Sequence, residues 1–109
     1  MKEYTEYTDE ELVELLRQGD TEVMDYLLEK YKFVVRQKAR VLYLAGGEAD
    51  DLIQEGMIGL FKAVRDFQTD KEASFATFAR VCIDRQIYSG IQNSNRQKHQ
   101  PLHSYVSLN

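Results

Sequence analysis

The chain has 109 residues, a hydrophobic fraction of 43% and a formal net charge of −4 at pH 7. This length and composition fit one domain with one core and argue against a second domain. The single cysteine, Cys82, excludes an internal disulfide. The absence of a signal segment or of an apolar run as long as a bilayer predicts a soluble, cytoplasmic chain without a membrane partner. One proline and no long alternation of apolar and polar residues favour an all-α fold.

Two helices are predicted in the first part of the chain. Thr8 and Glu11 have the spacing of a capping box, in which each side chain satisfies an amide of the first turn, and Gly19 ends this helix. A longer second helix, capped by Asp20, runs to the glycine pair at 46–47. Its apolar side recurs at three- and four-residue steps, which is typical of a face packed on a core. The positions on that side are Val23, Leu27, Leu28, Tyr31, Val34, Val35, Lys38 and Leu42.

The third predicted helix, over residues 50–67, carries two different faces. The core-facing stripe contains Ile53, Gly56, Met57, Leu60, Val64 and Phe67, and the second stripe contains Asp51, Gln54, Glu55, Ile58 and Phe61. Solvent alone would favour polar residues at Ile58 and Phe61, so the second stripe is typical of contact with another protein. The alternative is burial of both side chains against another helix of the same fold. Gly56 and Gly59 weaken a helix, which predicts close approach by a neighbouring helix.

The fourth helix is predicted from its cap, Ser74, to about Arg96. Its inward side contains Phe75, Phe78, Ala79, Cys82, Ile83, Ile87 and Ile91. Its outward ridge carries groups able to hydrogen-bond base edges, and these are Arg85, Tyr88, Ser89, Gln92, Asn93 and Arg96. Phe75 and Phe78, with Arg80, supply the rings and the cation that could stack an unpaired base and hold its phosphate. The alternatives are an ordinary solvated ridge and two rings that simply belong to the core.

Charge is distributed unevenly along the chain. Residues 1–72 contain 10 basic and 17 acidic residues, whereas residues 73–109 contain four basic residues and one acid, Asp84. A polyanion would therefore dock at the C-terminal, basic end. From His99 onward the sequence shows no helical period, and this tail is predicted to be a linker.

The sequence contains no convergent set of reactive groups that would indicate an enzyme. The two histidines, His99 and His103, fall in the predicted linker, and no metal-ligand spacing or nucleophile beside a base is visible. An acidic cluster of Glu48, Asp51 and Glu55 could hold magnesium, as in all-helical nucleotide pyrophosphatases. Such a site needs a second acidic helix, and the N-terminal acids are more simply explained as partners of a helix dipole. We therefore expect no catalytic residue, metal or cofactor.

Four sets of residues carry a family pattern. They are the run Asp50-Asp51-Leu52-Ile53-Gln54-Glu55-Gly56-Met57-Ile58-Gly59-Leu60, then Lys62-Ala63-Val64 with Phe67, then Phe75-Ala76-Thr77-Phe78-Ala79, and finally Arg96 with Pro101. Together they closely resemble region 2 of the sigma-70 family of RNA polymerase initiation factors. The C-terminal sequence is most like the sporulation and stationary-phase sigma-H group. The resemblance implies a compact all-α bundle of about four helices, with region 2 over residues 1–98 and the start of a linker to a missing downstream domain over 99–109.

The resemblance also implies partners and roles. In the family, the acidic amphipathic helix binds a coiled coil of the polymerase β′ subunit, and this contact maps onto Asp51, Gln54, Glu55, Ile58 and Phe61. The next segment captures and melts the −10 promoter element by stabilising an adenine flipped out of the non-template strand, a role that falls to Phe75, Thr77 and Phe78. Bases at the upstream edge are then read by Arg85, Tyr88, Ser89, Gln92 and Asn93, while Arg96 and Lys98 hold phosphate.

Three departures from the family pattern change these expectations. Val81 and Cys82 stand where housekeeping members carry two tryptophans, so strand separation is expected to be weaker. Arg85 and Tyr88 replace a base-reading glutamine and threonine, so the preferred promoter sequence should differ. No helix-turn-helix domain for the −35 element follows, which predicts a fragment. The alternative function is an interaction module that binds polymerase or an anti-sigma factor without recognising a promoter.

Overall fold

A computed structural model describes residues 3–43, 49–69 and 73–105, with residues 49 and 94–105 described by their helical backbone only. Within these ranges the chain forms helices and turns and no strand, which confirms the all-α prediction. The elements are a 3-10 helix at Tyr4–Glu6, α1 at Asp9–Arg17, α2 at Glu22–Lys30, α3 at Lys32–Tyr43, α4 at Ala49–Asp66 and α5 at Phe75–Tyr105. No helix in the described part is both long enough and apolar enough to cross a membrane.

The described residues form five α-helices where the sequence predicted about four, because the long second helix is divided at Tyr31. The backbone of Tyr31 has φ −97° and ψ 4°, outside regular α-helical geometry. The interruption is shallow, since the Tyr31 amide still donates to the Leu27 carbonyl at 3.1 Å and the Val34 amide donates to the Tyr31 carbonyl at 3.0 Å. The Tyr31 ring packs edge-on against Phe75 and its hydroxyl donates to Asp9. The apolar period continues through the bend, so the pattern gave no sign of it.

The core is formed by the inward stripes of the helices. Leu60 of α4 and Ile83 of α5, for example, are completely buried, as the periodicity predicted. Four core residues fell outside the predicted stripes, namely Val13, Ala39, Leu52 and Ala63. A helix that packs against several neighbours buries more of its circumference than a single apolar stripe. These residues lie on that additional buried surface.

The helices α4 and α5 pack against each other at close range. A Cβ added at Gly59 of α4 would lie 2.7 Å from the carbonyl oxygen of Cys82 in α5. One turn earlier in α4, Glu55 lies over Gly90, which is two turns later in α5, so the two helices run antiparallel. Gly56 approaches a side chain of α3 in the same way. The close approach predicted from the two glycines of this helix is confirmed.

Side chains of α1 form hydrogen bonds with both ends of the segment that joins α4 to α5. The predicted capping box Thr8–Glu11 is present at the start of α1. At its end, the Arg17 guanidinium donates to three main-chain carbonyls that the last turn of α4 leaves unpaired, the shortest contact being 2.5 Å to Phe67. A carboxylate oxygen of Glu10 accepts a hydrogen bond of 2.7 Å from the amide of Phe75, the first residue of α5. These contacts fix where α5 begins relative to α4.

The fifth helix is longer than predicted. The sequence pattern ended it near Arg96, whereas its helical backbone continues to Tyr105. Residues 95–100 include arginine, glutamine and lysine, which favour helix, and a helix that extends past its neighbours does not need the apolar period on which the prediction relied. Pro101 removes one backbone hydrogen bond from this extension. The assignment of residues 99–109 to a linker stays a prediction, and 106–109 lie outside the described residues.

Candidate protein and nucleic-acid interfaces

The surface of α4 that points away from the core contains both apolar and polar side chains. Ile58 is 41% exposed and Phe61 is 44% exposed. Asp51 and Gln54, earlier on the same side, are exposed as well. We call these four residues the α4 outer face. The alternative in which Ile58 and Phe61 are buried by another helix of this fold is therefore wrong. The mixed composition is typical of a surface that contacts another protein.

Glu55 lies at the edge of the α4 outer face and contacts α5. Its Oε1 accepts a hydrogen bond of 2.8 Å from Nε2 of Gln86, and Oε1 of Gln86 accepts one of 3.0 Å from Nζ of Lys62. The Glu55 side chain also covers Gly90. These contacts form a polar bridge between the two helices. Glu55 therefore stabilises the α4–α5 pair, a role that its place in the sequence pattern did not reveal.

The prediction that Phe75 contacts a flipped base needs correction. Phe75 is completely buried, and its ring packs edge-on against Tyr31 and Phe67 at centroid distances of 5.4 Å each. A ring without exposed surface cannot stack on a base. Phe75 is a core residue that supports its neighbours, as the core alternative anticipated. Phe78 is only partly buried and Thr77 is exposed, so both remain candidates for direct contact.

A cavity of about 350 Å³ opens beside Phe78, where α5 begins. Its lining consists of Asp66, Phe67, Gln68, Ala73 and Phe78. The rings of Phe67 and Phe78, whose centroids are 5.7 Å apart, supply an apolar wall, and Asp66 and Gln68 supply polar groups. Ligand sites commonly have a volume of about 300–1,000 Å³ and this mixture of apolar walls with few polar groups. The cavity therefore lies at the lower end of this size range and has both kinds of lining.

Local hydrogen bonds order the entrance to this cavity. The Arg65 guanidinium binds both carboxylate oxygens of Asp66 at 2.7 and 2.8 Å and lowers the pKa of that carboxyl group. Asp66 is therefore an ionised acceptor at neutral pH. At the start of α5, Ser74 Oγ accepts a hydrogen bond of 3.2 Å from the Thr77 amide, which confirms the predicted cap of α5. Asp66 and Gln68 were not among the predicted site residues, although both directly adjoin the core residue Phe67.

The outward ridge of α5 is uncovered in the part of the helix that has described side chains. Its exposed members are Arg85, Tyr88, Ser89, Gln92 and Asn93. Tyr88 is 56% exposed, which leaves most of its ring available. Arg80 is exposed too, on the side that faces α3. Arg96 and Lys98 belong to the helical backbone of α5, but their side chains lie outside the described residues.

The structure brings a further group of cations next to this ridge. The third helix contains four basic residues and no acid in its sequence, and it packs against α5. These cations were not predicted as part of a basic surface, because the net charge of residues 1–72, where acids dominate, conceals them. Lys38, which was assigned to the core stripe, instead places its Nζ 3.3 Å from a carboxylate oxygen of Asp84. A charge count for each helix would have found this signal.

The acidic cluster considered above finds no support as a metal site among the described residues. Within them, no three histidine, cysteine, aspartate or glutamate side chains come together to hold a metal ion. Glu48 lies outside the described residues. Cys82 is half-buried, and this burial raises the pKa of its thiol. A thiol with a raised pKa is a poorer nucleophile at neutral pH.

Comparison with known proteins agrees with the resemblance. Residues 27–97 match the family Sigma-70 region 2. The chain is 50% identical over 105 residues to the RNA polymerase sigma-H factor of Bacillus licheniformis, an alignment that covers 96% of this chain and 47% of that protein. It is 48% identical over 107 residues to the RNA polymerase sigma-H factor of Bacillus subtilis (strain 168), covering 98% of this chain and 49% of that protein.

A more distant relative is the RNA polymerase sigma-28 factor of Bacillus thuringiensis subsp. kurstaki, which is 35% identical over 75 residues, 69% of this chain and 32% of that protein. The chain spans about half the length of the sigma-H factors that it matches. The matched range of the family includes all of α3 and α4 and the part of α5 that carries the ridge. The chain therefore belongs to the sigma-70 region 2 family.

Proposed function

We propose that this chain is the part of a transcription initiation factor that binds core RNA polymerase and the −10 promoter element, without catalysing a covalent reaction. One observation carries the proposal: two closely packed, antiparallel helices expose surfaces of different chemistry. The α4 outer face is apolar with a polar border, and the α5 ridge is polar and cationic. Membership of the sigma-70 region 2 family supports the assignment to transcription. The proposal also implies a cytoplasmic location, where polymerase and promoter DNA meet.

We assign the α4 outer face to the coiled coil of the polymerase β′ subunit. Ile58 and Phe61 supply an apolar centre, while Asp51 and Gln54 supply the polar border that stable protein interfaces have. In such interfaces a few large side chains carry most of the binding energy. Glu55 contributes through its bridge to α5 as well as through its position beside this face. The partner thus covers apolar surface that water would otherwise contact.

We assign the cavity beside Phe78 to an adenine flipped out of the non-template strand. Extruding a base from the duplex takes a few kcal/mol, and stacking on an aromatic ring returns about 1–3 kcal/mol per base. A cavity with the partly exposed Phe78 ring in its wall therefore offsets part of the opening energy without ATP. Thr77, exposed at the start of α5, is the second contact. Phe75 supports the site from the core and does not touch the base.

We assign the reading of bases upstream of the flipped adenine to the α5 ridge. The ridge residues are Arg85, Tyr88, Ser89, Gln92 and Asn93, and the phosphate contacts are Arg96 and Lys98. Val81 is 40% exposed where housekeeping members carry tryptophan. A valine covers less of a base pair than an indole ring does, so we expect weaker strand separation than with a housekeeping factor. The isolated chain, with its net charge of −4, should bind duplex DNA poorly until polymerase covers acidic surface.

The polymerase assignment is tested by measuring binding of the chain to core RNA polymerase. Phe61→Ala and Ile58→Ala should each weaken binding by about fivefold or more, since truncating a central hot-spot residue of an interface removes over about 1 kcal/mol. Tyr88→Ala is the matched control, because Tyr88 is a comparably exposed ring on a different helix. Equal binding of the parent chain and Phe61→Ala would refute the assignment.

The promoter assignment is tested by measuring DNA binding of the parent chain, Phe78→Ala and Phe61→Ala, each in complex with core polymerase. The probe is a single-stranded non-template oligonucleotide that contains the −10 element. Phe78→Ala should weaken its binding about five- to 100-fold, which corresponds to the loss of one stacked base. Phe61→Ala, once saturated with polymerase, should bind the probe like the parent chain. If Phe78→Ala retains full affinity, the cavity is not the base site, and the interaction module without promoter recognition becomes the better explanation.

A further inference from the structure

The third helix is strongly basic although the N-terminal two-thirds of the chain is acidic overall. Its basic residues are Lys32, Arg36, Lys38 and Arg40, and its sequence contains no aspartate or glutamate. The helix packs beside α5, so folding adds these cations to the basic C-terminal part of the chain. The local charge of the surface around α5 is therefore more positive than the sequence order suggests.

Two adjoining concavities lie between α3 and α5. One has a volume of about 420 Å³ and is lined by Lys38, Val41, Leu42, Asp84, Arg85 and Tyr88. The other has a volume of about 360 Å³ and is lined by Gln37, Lys38, Arg40, Val41 and Arg80. Lys38 and Val41 line both concavities, and we call the two together the α3–α5 groove. It adjoins the α5 ridge, with which it shares Arg85 and Tyr88.

The lining of the groove carries four cations and one acid. Lys38 pairs with that acid, Asp84, at 3.3 Å. Among the residues that the structure describes, Arg40, Arg80 and Arg85 form no ion pair, and all three are exposed. A guanidinium presents a planar fork of donors that matches the oxygens of a phosphate group. The groove therefore has charge and donors complementary to a chain of phosphates.

The apolar part of the groove fits the same ligand. Val41 is 68% exposed and Tyr88 is 56% exposed, so both offer surface between the cations. A nucleic-acid backbone alternates charged phosphates with less polar sugars, and phosphate and sugar contacts fix the register of a protein on DNA. A small inorganic anion would use the guanidinium groups alone. An extended polyanion would use the whole groove.

We propose that the α3–α5 groove holds the sugar-phosphate backbone of promoter DNA beside the bases that the α5 ridge reads. The inference rests on the proposed function, because the ridge must face DNA for the groove to meet its backbone. It adds α3, through Arg40 and Lys38, to the DNA-contacting surface. In this arrangement α5 supplies base contacts and α3 supplies contacts that position the strand.

The test measures binding of a forked promoter DNA to the chain in complex with core RNA polymerase, over a series of salt concentrations. Arg40→Gln and Arg80→Gln should each lower affinity about five- to eightfold at about 0.1 M salt and reduce the slope of log K against log salt by about 0.7–0.9. Asp84→Asn should raise affinity, because it removes the one acid of the groove and releases Lys38. Arg36→Gln is the matched control: it makes the same charge change at an exposed site of α3 that does not line the groove.

The outcomes separate the groove from the wider proposal. If the parent complex binds the forked DNA and both groove variants bind it equally well, the groove is not a DNA site, although the proposed function stands. If Arg36→Gln loses as much affinity as Arg40→Gln, net charge explains the effect and the groove is refuted. Failure of the parent complex to bind the forked DNA would refute the proposed function itself. The same affinities are measured with a duplex probe and with a single-stranded probe. The groove variants should weaken binding only of the probe whose phosphates lie in the groove, which identifies the form of DNA that it holds.

Discussion

The contact at Gly59 offers a direct test of how closely α4 and α5 must approach. A Cβ added at this position would lie 2.7 Å from the carbonyl oxygen of Cys82, 2.8 Å from Cβ of Gln86 and 3.0 Å from Cα of Ile83. Two of these three atoms belong to the backbone of α5, which cannot turn aside as a flexible side chain can. Gly59→Ala therefore requires the two helices to separate or shift along each other.

The expected magnitude combines two opposing effects. Overpacking a well-ordered contact typically lowers the free energy of unfolding by about 1–3 kcal/mol, and a clash with backbone belongs at the upper end of that range. Replacing glycine by alanine inside a helix returns about 1 kcal/mol. The net result is a loss of about 2 kcal/mol, which lowers the melting temperature of a domain this size by roughly 8–16 °C.

The matched control is Gly90→Ala at the same helix pair. There an added Cβ would meet the Cγ atom of Glu55 at 2.7 Å, and that side chain can rotate away. The free energy of unfolding of Gly90→Ala should therefore stay within about 1 kcal/mol of the parent value, since the gain in helix propensity offsets a displaced side chain. Urea unfolding followed by circular dichroism measures both variants. If Gly59→Ala is as stable as Gly90→Ala, the two helices do not pack as closely as described.

Three further predictions concern the contacts that hold the helix ends and the Tyr31 bend. Arg17→Ala should lower the free energy of unfolding by about 1–3 kcal/mol, because the charged donor to the end of α4 is lost, and an unchanged urea midpoint would argue against this cap. Burial, followed by the hydrogen bond to Asp9, raises the pKa of Tyr31, so its stabilising effect is complete below the unfolded pKa of 10.0 and declines as pH rises above that value. Tyr31→Phe should therefore show a smaller fall in melting temperature between about pH 9 and about pH 11 than the parent, and parallel curves would contradict this. Ser74→Ala should cost about 1 kcal/mol and speed hydrogen exchange at the Thr77 amide, and unchanged exchange would exclude the cap.

Much of the architecture was predictable because local chemistry and periodicity specify it. The capping box at Thr8, the cap at Ser74 and the close approach at Gly59 follow from the requirements of helix ends and of helix packing. The division of the second helix at Tyr31 was not predictable, since the apolar period continues across it. It depends on where the Tyr31 ring packs against Phe75, which lies 44 positions later in the chain.

In the candidate site, too, tertiary packing decided features that the sequence pattern could not predict. Sequence order suggested that Phe75 and Phe78 act together on a base, but tertiary packing buries Phe75 between other rings and leaves only Phe78 beside a cavity. Sequence order also placed Arg40 in an acidic part of the chain, whereas folding brings it to the groove that includes Arg80. In both cases the contacts that determine exposure or local charge join residues that are distant along the chain. A local sequence pattern cannot predict such contacts.

The sequence by itself determined the all-helical fold, the family and the outward position of Ile58 and Phe61, because each depends on residue spacing within one helix. Only the tertiary structure decided which aromatic rings remain accessible and which cations share a surface. These properties depend on how α1, α3 and α4 pack around α5, since solvent access and the local electrostatic field are set by neighbours in space.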